Sequence, residues 1–497
     1  MDALNRRSFL SRSAAASLLP GSFSFLRHLP TANAQEAAPG KEGVKFDAEM
    51  EPLVKLLENT PRERLLEEVG QCIRQGVPYR QWLAALLLAG VRNIQPRPVG
   101  FKFHAVLVVH SAHLASLNAP DSDRWLPLFW ALDQFKSSQA RDVQEGDWTM
   151  PTVDEKAVPA AEKARPEFTD AMNRWDTARA DAAVAGLTRG AGAQEVFDVF
   201  CRIGARDFRD IGHKAIYVAN SWRTLQTIGW HHAEPVLRSL AYALLEHTGG
   251  NPADGDDEAD RPGRVNAERL AKLKPGWQLG SARQDAPAAM LDTVRHASWD
   301  DAAARAVELL NAGSGAKAVW DGIFQGAAEM LMRKPGIVSL HSVTTANALH
   351  FAFHQTSDEN TRRYLLLQAA SFMPMFRARA GSESGPDIAS FEPAAGTPEL
   401  ESIFAAVSGD KLDASRQMLR YLQNGGDSRA LAAAAQRLIY LKGTDSHDYK
   451  FSSAVLEDYR ALAPGLRDRF LAASAFWLKG SAGPDSPLVA RTRAALG

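Results

Sequence analysis

Four stretches of this 497-residue chain repeat one layout, and three of them set a histidine at the same point in it. In each stretch an amphipathic run passes a glycine (Gly76, Gly192, Gly315, Gly426) into a second apolar run. A polar residue then opens a third run. It is His104 in Phe103-His104-Ala105-Val106-Leu107, His213 in Gly212-His213-Lys214-Ala215-Ile216 and His341 in Leu340-His341-Ser342-Val343-Thr344. The fourth copy, Tyr449-Lys450-Phe451-Ser452-Ser453-Ala454-Val455-Leu456, echoes Phe101-Lys102-Phe103-His104-Ala105-Val106-Leu107. That alignment puts Ser452 in the histidine's place, with His447 just upstream. A fourth run with an arginine near its start (Arg124, Arg238, Arg363, Arg467) closes each copy. A helical repeat that returns one polar side chain to one geometric position gathers those side chains around a common cavity or along a common face.

The periodicity is helical almost throughout. Leu65, Val69, Cys72 and Ile73 fall at i, i+4, i+7 and i+8, and Val319, Ile323, Ala327 and Met330 share one helix face. No run of alternating β-branched residues bounded by hairpin turns is present. The expected fold is all-α, with four pseudo-repeats of about four helices each (61–139, 178–248, 301–376 and 410–480) around a central pocket. The ring is either a closed toroid or an open solenoid. The repeat is much longer than the ~34–47 residues of tetratricopeptide or armadillo units. Inserts are expected at 140–177, at 249–287 with its acidic Asp254 to Glu258, and at 377–398. Such long excursions serve as lids and site walls or as surface decoration.

The chain opens with Asn5-Arg6-Arg7-Ser8-Phe9-Leu10, a twin-arginine signature, then a broken apolar stretch and Ala32-Asn33-Ala34, a small-x-small cleavage site. Residues 1–34 therefore read as an export signal and 35–60 as a polar leader. The twin-arginine machinery is an expected partner, and the expected location is periplasmic or secreted. That route moves folded proteins, among them proteins loaded with a cofactor. The net charge of −1 and the lack of a Lys/Arg block argue against nucleic acid. No later apolar run is long enough to make this an integral membrane protein. Cys72 and Cys201 sit within apolar helical runs and read as buried thiols, and no Cys-x-x-Cys occurs.

The histidines carry the chemistry. His104, His110 and His113 are spaced H-x5-H-x2-H, and His341, Asn347 and His350 repeat the spacing as H-x5-N-x2-H. A ring at a helix N-terminus faces the positive end of the dipole and stays neutral, ready to ligate a metal or exchange a proton. At about 100° per residue, one helix cannot aim the cap histidine and the mid-helix pair at one ion. Either the cap residues of several repeats converge, or the mid-helix set does. In the second copy His213, Tyr217 and Asn220 form one stripe, and Gly229-Trp230-His231-His232-Ala233-Glu234-Pro235 follows. His232 and Glu234, with His104, His213 and His341, would make a histidine-and-carboxylate set of the kind that holds iron, zinc or copper. Each of these residues also has a plainer reading, as a hydrogen-bonded core histidine or a helix-start carboxylate. Trp148, Trp222 and Trp230 are candidates for an apolar wall. There is no P-loop, nucleophile elbow, dinucleotide turn or His-Glu-x-x-His.

Phe103-His104 with His110 and His113, together with Leu340-His341-Ser342-Val343-Thr344, resembles the questin oxidase-like family. The resemblance covers much of residues 60–375 and places a His-x-x-Thr element on His341 and Thr344. It implies a helical cavity in which a small aromatic or polyketide-like molecule is oxidised. The resulting expectation is a pocket lined by His104, His110, His113, His213, Asn220, Thr344, Asn347 and His350. His213, His341 and Tyr217 act as ligands or acid–base groups around a transition metal or small-molecule ligand. The competing expectation is a non-catalytic helical scaffold. Marker histidines within about 5–8 Å of a common centre favour a site, and dispersal along a concave face favours the scaffold.

Overall fold

The computed structural model describes residues 43–281, 285–381 and 384–497. The twin-arginine motif, the cleavage site and the polar residues up to 42 lie outside these, as do 282–284 and 382–383 within two of the inserts. Among the described residues the fold is all-helical, and the one β pairing is an isolated bridge between Ser281 and Ser314.

Each of the four repeated stretches folds into the same succession of helices. After α1 (Met50–Asn59), the first stretch holds α2 (Arg62–Arg74), α3 (Tyr79–Asn93), the broken pair α4 (His104–Leu107) and α5 (Val109–Asn118), and α6 (Leu126–Glu145). The insert helix α7 (Ala161–Asn173) leads to the second stretch. There the succession is α8 (Thr177–Gly190), α9 (Ala193–Gly204), α10 (His213–Ile228) and α11 (Ala233–Leu244). Then α12 (Arg261–Arg269) and α13 (Asp285–His296) precede α14 (Trp299–Asn311), α15 (Ala316–Arg333), α16 (Ile337–Gln355) and α17 (Glu359–Ala380). The last stretch follows α18 (Leu400–Val407) and runs α19 (Lys411–Gln423), α20 (Ser428–Lys442), α21 (Ser446–Ala461) and α22 (Pro464–Ala473), before a final α23 (Pro487–Leu496).

Local chemistry explains where many of these helices start. Asp176, Ser298, Asp358, Asp410, Asp427 and Asp445 each accept a backbone N–H of the first turn they precede. Such caps satisfy donors that the helix itself leaves free, each worth about 1 kcal/mol. Three sequence expectations need correction. The second half of the expected leader is helix α1, whose Leu53, Val54 and Leu57 are fully buried and whose Glu51 and Glu58 clamp the buried Arg92. The 140–177 insert is partly helical, because α6 runs on to Glu145 and α7 packs against α8. Of the four glycines, Gly76 adopts positive φ, but Gly192 and Gly315 are extended N-cap residues, and Gly425 rather than Gly426 makes the last turn.

The helices that begin at the marker positions form the inner layer. α5 packs on α10, α10 on α16, α16 on α21 and α21 on α5, which closes a cycle compatible with the expected ring of repeats. The helices before and after each inner helix pack outside it. The C-terminal α23 then docks on α2 and α6. Arg491 pairs with Glu67 at 2.7 Å, Arg493 with Asp123 at 3.0 Å, and Arg74 donates to the Ala495 carbonyl. Gly70 makes this docking possible, since a Cβ there would collide with the Ala495 backbone carbonyl. Gly70→Ala should therefore lower the unfolding free energy by about 1–3 kcal/mol, the usual cost of overpacking, in denaturant melts. An unchanged midpoint would mean that α23 does not dock on α2 as described.

Candidate metal centre

Four imidazoles meet where the inner helices begin. His104 opens α4, His213 opens α10, His341 lies in the second turn of α16, and His447 is the second residue of α21. One ligand atom from each lies within 4.8 Å of the others. His104 is half-buried and the other three are buried. The marker histidines of different repeats have thus converged, although His341 stands in the second turn of its helix rather than opening it, and the mid-helix histidines have not joined them. The fourth member is His447, not the Ser452 that the local alignment singled out. Ser452 turns its hydroxyl back onto the Tyr449 carbonyl.

Hydrogen bonds on the far side of each ring fix which nitrogen faces inward. His104 Nδ1 bonds the Phe101 carbonyl at 2.9 Å, His213 Nδ1 the Asp210 carbonyl at 2.5 Å and His341 Nδ1 the Ile337 carbonyl at 2.7 Å. A carbonyl only accepts, so each Nδ1 carries the proton. His447 Nδ1 donates to the Asp445 carboxylate. All four Nε2 atoms are consequently left with inward lone pairs. His104 Nε2 and His213 Nε2 stand 2.9 Å apart. His341 Nε2 and His447 Nε2 are buried without a hydrogen-bond partner among the described residues. Two lone pairs at hydrogen-bond distance repel unless a cation lies between them. Anchoring Nδ1 on a carbonyl or carboxylate is also how proteins orient histidines that ligate metals through Nε2.

A proton is a poor candidate for that cation. Burial holds the pKa of His104, His213 and His341 well below the ordinary imidazole value, and the Lys450 ammonium and the neighbouring rings push the same way. Burial also lowers His447, against the opposing pull of Asp445. The Asp445 carboxyl is itself held down to about 2, chiefly by its hydrogen bond to His447. A shared metal ion can satisfy all four lone pairs at once.

The rings are arranged as a square. Successive centroids are 4.9 Å apart for His104–His213, 4.3 Å for His213–His341, 5.0 Å for His341–His447 and 4.5 Å for His447–His104. The His104–His341 diagonal is 6.3 Å. Nitrogens bound ~2.0–2.1 Å from one ion put ring centroids ~3.2 Å from it, so a square gives sides of ~4.5 Å and diagonals of ~6.4 Å, while a tetrahedron makes every pair ~5.2 Å. The diagonal and the sides of 4.3 and 4.5 Å fit the square, and the sides of 4.9 and 5.0 Å distort it toward the tetrahedron.

The backbone is strained to build this. Phe101 and Asp210, whose carbonyls hold two of the rings, have φ of 48° and 53°, and the β-branched Ile211 has φ of 46°. Left-handed non-glycine residues cost on the order of 1–3 kcal/mol each and persist where surrounding packing over-determines them. Gly212 follows at φ 81°, where any Cβ would overlap the Thr345 side chain.

The remaining expected site residues fall into three places. His110, Asn220, Thr344 and Asn347 do share one pocket, a cavity of about 20 Å³ that also takes in Arg223 and Lys450. His350 lines a separate outer groove of about 1120 Å³, with its Nε2 3.0 Å from His354 Nε2. His113 bonds Tyr79 instead, at 3.2 Å. Tyr217 is buried beside Phe103 and donates to Ser239 at 2.9 Å, away from the four rings. His232 and Glu234 do not join the centre. His232 stacks near His231, and with Asp47 the pair forms a separate group close to the surface. Glu234 is held by Arg189 at 2.7 and 2.9 Å. The expected tryptophan wall is not at the rings either. Trp222 packs on Phe197 and Trp230, and Trp148 lines an apolar hollow of about 780 Å³ between the 148–167 region and α8 and α11. Cys72 and Cys201 are buried free thiols. No described helix is long and apolar enough to cross a membrane.

Comparison with family models, curated proteins and solved structures finds no match to this chain.

The depressed imidazole pKa values set a pH dependence. Below the unfolded value of about 6.5 the unfolded chain takes up protons that the folded core refuses, so stability falls as pH drops and recovers above it. Removing one such ring by His213→Gln should make the loss between pH 6 and 5 shallower by about 1.4 kcal/mol per pH unit, one proton's worth. Denaturant unfolding of the metal-free protein measures this, and equal slopes would show that the His213 ring is charged in the fold.

Proposed function

We propose that this chain is an exported metalloprotein oxidoreductase with one redox-active transition metal held by His104, His213, His341 and His447. The observation that carries the reading is the convergence of four Nε2 lone pairs whose opposite nitrogens are all anchored. The square ring of nitrogens favours copper(II), since tetragonal all-nitrogen sites suit it and a structural zinc site is tetrahedral. A square of ligands also leaves positions open above and below the ion, which a closed structural site does not.

Phe101 and Ile337, the residues whose carbonyls hold His104 and His341, are 66% and 45% exposed. Exposed apolar side chains next to the anchoring carbonyls suit a small aromatic or apolar substrate, the class that the questin oxidase-like resemblance implies. The convergence speaks against the scaffold reading, which has no use for four inward lone pairs. The twin-arginine signature at Asn5–Leu10 supports export to the periplasm or beyond.

Metal analysis of the protein expressed with its own signal, joined to electron paramagnetic resonance, tests this. The expected result is close to one copper per chain with a tetragonal signal, lost in His213→Ala, His341→Ala and His447→Ala. A folded protein that binds no metal overturns the centre, and stoichiometric zinc keeps the centre but overturns the redox reading. Asp445→Asn should weaken the metal affinity by about 10–100-fold, the usual effect of losing a partner of a ligating histidine, as read by chelator competition. An unchanged affinity would show that Asp445 does not orient His447.

A further inference from the structure

One turn past the rings, along the inner helices, the environment changes. Lys450, Thr344 and Ile216 stand three residues after His447, His341 and His213, about 4.5 Å further along the inner helices. All three line the cavity of about 20 Å³, with His110, Asn220 and Arg223 among its other walls. That volume exceeds the ~10–15 Å³ needed for one water-sized group and admits little more. Most of the polar wall is already engaged. Arg223 is ion-paired with Glu457 and donates to Asn220 and Asn347, Asn347 donates to Glu457 and Asp458, and Asn220 donates to the Leu107 carbonyl. Lys450 is the exception. Its side chain is 3% exposed and its ammonium has no hydrogen-bond partner among the described residues, yet its charge acts on all four imidazoles. His110 Nδ1, in the same cavity, is likewise buried and unpartnered.

Charge completes the argument. Four neutral imidazoles leave a divalent ion its full charge in a dry interior, where an uncompensated charge is costly. The nearest fixed compensation, Asp445, acts through His447 on one edge of the square. Lys450, whose pKa burial draws down to about 7, lines the neighbouring cavity, and a bound anion would hold the proton on its Nζ. We propose that the coordination position on the Lys450 side binds a small inorganic monoanion, held between the metal ion and the Lys450 Nζ, with room in the cavity for no more than the anion's outer atom. The proposal rests on the metal centre above and adds the ligand class and the face on which it binds.

The test uses the full chain loaded with one copper(II). Azide is titrated in while the charge-transfer absorption and the paramagnetic resonance are followed, and acetate and benzoate are titrated for comparison. The expected result is saturable binding of one azide with weak or no response to the carboxylates. Lys450→Met, which nearly preserves volume, should weaken azide binding at least tenfold while copper content stays near one per chain. Azide affinity unchanged in Lys450→Met would place the anion on the face away from Lys450 and overturn the proposal while leaving the centre intact. Equal responses to azide and benzoate in the unsubstituted protein would overturn it by size alone, even if Lys450→Met does not fold. A protein that takes up no copper, iron or other transition metal would overturn the centre first and this inference with it.

Discussion

Four hydrogen bonds on the outward nitrogens of four imidazoles are the constraint on which the rest of this structure depends. Three end on backbone carbonyls and one on the Asp445 carboxylate. Each fixes a tautomer, so each commits the opposite nitrogen to be a lone pair in the core. The carbonyls come from the residue three or four positions earlier, in the loop or first turn that leads into the inner helix. Ring orientation is therefore tied to the path of the chain into each helix. That tie explains why strained residues gather there. Phe101, Asp210 and Ile211 take left-handed conformations that their side chains disfavour, at the places where a carbonyl must turn back toward a ring. Departures from local preference are expected where function rather than folding sets the geometry.

The all-helical fold was legible from periodicity, and the marker histidines were legible from the order of features in each repeat. The spacing argument on one helix was also sound. It left two possibilities for convergence, and the residues of the first two turns are the ones that meet, with His341 one turn deeper than its expected place at the helix start. What misled was the fourth copy. Aligning Tyr449-Lys450-Phe451 on Phe101-Lys102-Phe103 matches local chemistry but not helix phase. In the first copy the tripeptide is a 3-10 turn ahead of the helix, whereas in the last it lies inside α21. Asp445 starts that helix earlier through a reciprocal capping box with Asp448, and His447 then falls in the first turn, one position further in than His213 in α10. The signal that could have found it was the Asp-x-His pattern at a helix start, read as a cap followed by a ligand with its own carboxylate partner.

His232 and Glu234 failed for a different reason. Neighbours in sequence were assumed to be neighbours in function, but Glu234 is claimed by Arg189 across the gap between α8 and α11. The choice between partners is made by tertiary packing that no spacing rule contains. Asn220 and Asn347 show the opposite case. A polar amide on an apolar helix face must find partners if buried, and both found them in the same small cavity. The rule locates the cavity without revealing what the cavity holds.

The electrostatics of the inner layer turn these local features into one argument. The four inner helices present their N-terminal ends, the positive ends of their dipoles, to the ring of histidines. Lys450, drawn down to about 7 by burial, adds part of a positive charge beside the rings, Arg223 is paired with Glu457, and Asp458, its carboxyl pushed well up by burial and by Glu457, contributes little negative charge. Burial above all, with the charge of Lys450 and the neighbouring rings behind it, keeps protons off the imidazoles. Neutrality is what makes an imidazole a ligand, so the interior that would seem hostile to a cation is also what prepares its binding site. A proton can bridge His104 and His213 but leaves the lone pairs of His341 and His447 unpaired. A metal ion spreads its charge over four nitrogens and through His447 to Asp445, and it can recruit an anion to its open face. Four imidazoles that exclude protons yet converge on one point are therefore built for an ion that all of them can bind together.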